Sequence, residues 1–126
     1  MSHLTAAAIH PEALRTGQEA IPPADILASV VAMFDALADP TRARILYALS
    51  AGELCVRDLA HAVGVSESAV SHQLRTLRDR GLVVPRRAGN VIYYALHDPH
   101  LRALFREAEY HADHVRQGLP DHPYPS

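Results

Sequence analysis

From Ala24 onward the apolar residues Ile26, Leu27, Val30, Val31, Phe34 and Leu37 recur at the 3.6-residue period of a helix with one apolar face. Asp39-Pro40 interrupts the pattern, with Asp39 placed to cap a second helix whose first position is Pro40. Ile45, Leu46 and Leu49 give that helix its buried face, and Ala51-Gly52 ends it. Two shorter helical segments follow. The first, 56–63, turns Leu59, Ala60 and Val63 inward, and Gly64-Val65 reverses the chain. Ser66 is a good N-cap for the second, which runs to Arg80 with Val70, Leu74 and Leu77 inward and Gly81 as its stop. The period then changes. Leu82-Val83-Val84 and Val91-Ile92-Tyr93-Tyr94 are β-rich runs, and Arg86-Arg87-Ala88-Gly89-Asn90 reads as the hairpin loop between them. Asp98-Pro99 opens a last helix over 99–117 with Leu101, Leu104, Phe105 and Ala108 apolar, and Gly118 ends it.

Helix, helix–turn–helix, hairpin, helix is the order of a winged helix–turn–helix, a mainly α fold with a small β-hairpin wing. The expected organisation is a flexible N-terminal arm over 1–23, partly helical around 11–16, then a single domain over 24–117 and a C-terminal tail over 118–126. A length of 126 residues suits one domain, and a 48% hydrophobic share provides a core. No apolar run approaches the ~18 residues of a membrane span, and the first residues lack the basic start and apolar stretch of a signal peptide. The single cysteine, Cys55, excludes an internal disulfide and every CxxC-type site. The expected location is the cytoplasm, with no membrane partner. The absence of a Gly-rich phosphate loop argues against a nucleotide-driven enzyme.

The net charge of −2 conceals an uneven distribution. Between residues 41 and 90 stand eight arginines (42, 44, 57, 75, 78, 80, 86, 87) and four acids (53, 58, 67, 79). The rest of the chain carries four arginines and ten acids. A basic middle between acidic flanks fits one face that meets phosphates. In a winged helix–turn–helix the second helix of the turn enters the major groove. Its polar positions here are Ser66, Glu67, Ser68, Ser71, His72, Gln73 and Arg75. Gln can pair with adenine and Arg with guanine, while Ser and His serve bases or phosphates. Arg86 and Arg87 of the hairpin are placed to meet phosphates or the minor groove. The implied partner is double-stranded operator DNA; a solvated polar face is the plainer alternative.

Nine histidines are present, and five lie between His97 and His122. On the last helix His111 and His114 are i and i+3, so they share a face and can chelate one ion. His100 and His111 point the same way but stand ~16 Å apart along the axis at the helical rise. Metal–nitrogen bonds of about 2.0–2.1 Å for zinc forbid both ends of one helix from sharing an ion. Two such helices running antiparallel across a two-fold axis would bring the start of one to the end of the other. Each of two identical sites would then hold Asp98 and His100 from one subunit with His111 and His114 from its partner. Asp98-Pro99 is also an ordinary helix start, and a His-rich helix end also suits solvated surface.

Ala38-Asp39-Pro40-Thr41-Arg42, Glu53-Leu54-Cys55-Val56-Arg57-Asp58-Leu59 and Ser66-Glu67-Ser68-Ala69-Val70-Ser71-His72-Gln73-Leu74 resemble the ArsR/SmtB family of metal-sensing repressors over roughly 24–117. The string from Asp98 and His100 to His111 and His114 is similar to the site on the last helix of the family's zinc and cobalt sensors. The resemblance implies a homodimer formed through the N- and C-terminal helices. It also implies a mechanism: the metal-free dimer binds its operator and leaves on binding metal, which derepresses efflux or resistance genes. Relatives that use a second site imply one here from Cys55 and Asp58 with His3 and His10 of the arm, although the arm lacks the cysteine of the best-defined sites of that kind.

One carboxylate and three imidazoles suit Zn(II), and also Co(II). The chain further resembles the nickel/cobalt branch through Met1-Ser2-His3 and the Gly118-to-His122 tail, where His3 would add ligands for Ni(II). Arg116 stands where that branch has a histidine ligand. Zinc is the expected metal, with Co(II) or Ni(II) as the alternative. A winged-helix repressor that answers a non-metal signal, for example through Cys55, is the remaining reading. An enzyme is not expected: four protein ligands leave no position for a reactive water, and no separate general base is apparent.

Overall fold

The computed structural model describes residues 6–118. Its elements run α1 (Pro11–Ala20), α2 (Ala24–Leu37), α3 (Pro40–Ser50), β1 (Leu54–Cys55), α4 (Val56–Val63), α5 (Glu67–Asp79), β2 (Val83–Ala88), β3 (Val91–Leu96) and α6 (Pro99–Gln117). The capping residues act as the sequence predicts. The Asp39 carboxylate accepts from the Arg42 backbone N–H at 3.0 Å, Ser66 Oγ from Ala69 at 3.0 Å, and Asp98 Oδ1 from His100 at 2.8 Å. Each satisfies one of the free amides that open a helix. Gly64 and Gly118 end α4 and α6 in the left-handed conformation that favours glycine.

The core lies where α3, α4, α5, the sheet and the first half of α6 meet. Ile45, Leu46, Leu49, Leu59, Val70, Leu74, Leu77, Val83 and Phe105 are all essentially inaccessible to solvent. Burying each such side chain contributes about 1.5–3 kcal/mol. Tyr47 fastens α3 to α6: its hydroxyl donates to the Phe105 carbonyl at 2.9 Å, and its ring lies 5.6 Å from the Phe105 ring. Among the described residues no single helix is long and apolar enough to cross a membrane.

Three features depart from the sequence reading. The arm contains a full helix, α1, which extends past the 11–16 expected and buries none of its residues. The hairpin is joined by a third strand: the antiparallel order is β1-β3-β2, with Leu54 opposite Tyr94 and Cys55 opposite Tyr93. Two residues are too short for a periodic signal, so β1 is invisible to alternation. Finally, Arg86, Arg87 and Ala88 are not loop. β2 continues through them, Ala88 pairs with Val91, and the turn is Gly89-Asn90 alone. Gly89, at φ 62°, supplies the positive φ that a two-residue hairpin turn requires. Backbone pairing with β3 carries the strand through these residues, and Arg86 lies over the Tyr93 ring, 4.8 Å from its centroid, and bonds both carboxylate oxygens of Glu53 beside β1.

Candidate nucleic-acid interface and metal-ligand residues

Helix α5 presents Ser68, Ser71, His72 and Arg75 to solvent, opposite the buried Val70, Leu74 and Leu77. Ser66 stands exposed at the helix start with its hydroxyl used for capping. Gln73 differs from the expectation. It is half-buried beside the core face, and its Oε1 accepts from Arg42 Nη1 at 3.4 Å, so it faces α3 and not the open surface. Its position three residues after Val70 and four before Leu77 explains the tilt. Glu67 is paired with Arg57 at 3.3 Å, both exposed. The wing arginines separate by face. Arg86 is held by Glu53 at 2.6 and 2.9 Å, whereas Arg87 is exposed on the opposite face of β2. The Arg86 guanidinium hydrogen-bonded to Glu53 holds that carboxyl below its ordinary value.

At the start of α6 two imidazoles gather on one carboxylate. His100 Nδ1 lies 3.2 Å from Asp98 Oδ1, and His97 Nδ1 lies 3.5 Å from Oδ2. Partial desolvation raises the Asp98 pKa, but the His100 backbone amide and the His97 ring outweigh it, so the carboxyl sits below its ordinary value. An ionised carboxylate beside an imidazole that is 97% exposed is a suitable pair of metal donors. Nδ1 of His100 and Oδ1 of Asp98 face each other, so these two atoms are the ones that could reach one ion together. At the other end of the helix His111 is exposed and His114 half-buried. Among the described residues of one chain, no three His, Cys, Asp or Glu side chains are grouped to hold a metal ion.

Of the second candidate set, Cys55 is half-buried at the N-cap of α4 and Asp58 is exposed in its first turn. His10 stands exposed at the N-cap of α1, and His3 lies outside the described residues, as does His122.

Comparison with known proteins fits this geometry. The family described as "Bacterial regulatory protein, arsR family" matches residues 39–84, from the N-cap of α3 into β2. The transcriptional regulator NmtR of Mycobacterium tuberculosis is 53% identical over 97 residues, which span 76% of this chain and 81% of that protein. The chain belongs to the ArsR family. A transcriptional repressor SmtB homolog of Synechocystis is 48% identical over 109 residues, 86% of this chain and 80% of that one. In structure, a homodimeric winged helix–turn–helix DNA-binding domain from Mycobacterium bovis superposes with a TM-score of 0.72. It is 32% identical and spans 79% of this chain and 93% of that one. The family segment contains the whole helix–turn–helix of this ArsR-family regulator, while α6 with its histidines lies outside it.

Sequence reasoning missed several contacts of this ArsR-family chain. Asp35 accepts from Arg80 at 2.7 Å, and Arg42 reaches the Ala36 carbonyl at 2.9 Å. The first has no local signal: Asp35 and Arg80 are 45 residues apart, so only the tertiary fold brings them together. Glu53 was similarly hidden, because its partner sits on a strand read as loop.

Proposed function

We propose that this ArsR-family protein is a metal-responsive transcriptional repressor. Its metal-free homodimer binds operator DNA and releases it when Zn(II), or Co(II), is taken up at two intersubunit sites. Each site is made by Asp98 and His100 with His111 and His114 of the partner subunit. The observation that carries this reading is the division of donors between the two ends of α6, too far apart for one chain to use them together. The similarity to transcriptional regulators supports the DNA half of the reading.

The exposed apolar residues support the dimer. Ile26, Leu27, Val31 and Phe34 line α2, with Val31 59% and Phe34 50% exposed, and Tyr110 and Val115 are exposed on α6. A stripe of this kind on terminal helices is the mark of a protein–protein interface. The two reading helices α5 would carry Ser68, Ser71, His72 and Arg75 into successive major grooves, about 34–36 Å apart. When bound, the metal supplies crosslinking charge between protomers and thereby selects one dimer geometry. Metal and DNA then oppose each other through a shared coupling free energy, typically 5–150-fold in affinity.

The test is titration of Zn(II), Co(II) and Ni(II) into the metal-free protein on the DNA upstream of its own gene, read by fluorescence anisotropy. Cobalt absorption is recorded in parallel. Release by zinc with an intense tetrahedral cobalt spectrum is expected. Release by nickel with a weak six-coordinate spectrum would transfer the reading to the nickel/cobalt branch with His3 as a ligand. DNA affinity unmoved by any of the three metals would overturn metal control and leave a repressor that answers another signal.

A further inference from the structure

Two arginines bind the reading helix to the last turns of α2. Arg80, the C-cap residue of α5, donates from Nη1 to Asp35 Oδ2 at 2.7 Å and to the Ala32 carbonyl at 3.2 Å. Arg42, in the first turn of α3, donates from Nε to the Ala36 carbonyl at 2.9 Å and from Nη2 to the Asp35 carbonyl at 3.3 Å. Its remaining Nη1 reaches Gln73 Oε1 on α5 at 3.4 Å. The last carbonyls of a helix lack intrahelical donors and carry the negative end of its dipole, so the Arg42 guanidinium on the Asp35 and Ala36 carbonyls is well placed there, while Arg80 is held chiefly by the Asp35 carboxylate. The same α2 carries the exposed stripe Ile26, Leu27, Val31 and Phe34. The element offered to a partner is thus bonded, by side chains, to the element offered to DNA.

We propose that Arg80 and Asp35 are positioning residues for operator recognition. Their ion pair fixes the angle between α5 and α2 in each protomer. It thereby fixes the separation of the two reading helices that a two-fold operator must match. Gln73, held by Arg42, belongs to this clasp and not to the base-reading set. The inference rests on the reading of the protein as a dimeric DNA-binding regulator, but not on its response to metal. A clasp of this kind matters for geometry more than for stability, since the pair is partly exposed, with side-chain accessibilities of 31% for Arg80 and 63% for Asp35.

The competing role for Arg80 is direct contact with a DNA phosphate, and charge chemistry separates the two. Asp35→Asn, Arg80→Gln and the exchange Asp35→Arg/Arg80→Asp are compared with wild type as full-length, metal-free protein. Affinity is measured for the complete operator and for a duplex carrying one half-site, across a range of salt. Sedimentation and thermal unfolding check that each variant is a folded dimer. Wild-type binding to the complete operator is read first, so failure of the dimeric regulator reading shows before any variant is compared. A positioning clasp predicts that both single variants lose about tenfold on the complete operator, in the range of contacting charge pairs. It also predicts that they keep wild-type half-site affinity and salt dependence, and that the exchange recovers part of the loss. A phosphate contact predicts tighter binding by Asp35→Asn, which frees the arginine, and a salt slope lower by ~0.9 per protomer for Arg80→Gln. That result overturns the clasp. Equal losses on operator and half-site, or no loss on either, overturn it as well.

Discussion

Arg86 and Arg87 leave β2 on opposite faces because successive strand side chains alternate. Arg86 is spent on Glu53 and Tyr93, whereas Arg87 is exposed and its charge is available to a phosphate. Arg87→Ala should therefore lower the slope of log affinity for DNA against log salt by about 0.9 per protomer, while Arg86→Ala leaves the slope near wild type. Anisotropy titrations between low and moderate salt measure both. The Glu53 carboxyl has a second consequence. Its pKa is lowered in the folded state, chiefly by the Arg86 hydrogen bond, so the unfolded chain binds its proton more readily. Its contribution to stability is present at neutral pH and fades as pH falls through the ordinary carboxylate value of 4.5 and below. Urea unfolding at several pH values should give a shallower acid decline for Glu53→Gln than for wild type.

At the scale of elements, the helices were legible because each has a start signal, a period and a stop. Ser66 opens α5 and Val70, Leu74 and Leu77 keep its face, so its existence and buried side follow from local chemistry. Ser66→Ala should cost about 1 kcal/mol in urea unfolding, since it strips the cap from the Ala69 amide. The wing was only half legible. Its apolar runs and the Gly89 turn are local, but Arg86 of β2 takes its partner from Glu53, some thirty residues earlier in the chain. An Arg-Arg pair read alone suggests a loop, and only the strand partner reveals otherwise. The same limit applies to Gln73: helical periodicity places it on the border of the buried face, and Arg42 decides which side it takes. For the candidate metal residues, one continuous helix, α6, fixes the separations of His100, His111 and His114, but the same residues also suit a helix start and a solvated surface, and the family resemblance is what joins them with Asp98 into a candidate ligand set.

For the whole molecule, the exposed stripe on α2 and the distal half of α6 mark what one chain leaves unfinished. Val31→Asp, which puts a charge into that stripe, should shift the protein from dimer to monomer in sedimentation velocity and weaken operator binding at fixed protein concentration. The α6 helix spans 19 residues, and its two ends bear unlike halves of the proposed site. This division has a genetic reading. A His100→Ala protein and a His111→Ala protein would each form dimers in which both sites are broken, so neither would release DNA. Co-expressed, they would assemble mixed dimers in which one site takes its intact start from one mutant and its intact end from the other, while the second site collects both lesions. Metal would thus act on the mixed dimers alone, while the homodimers formed beside them stayed on the operator, so two inducer-blind alleles in one cell would complement each other only in part.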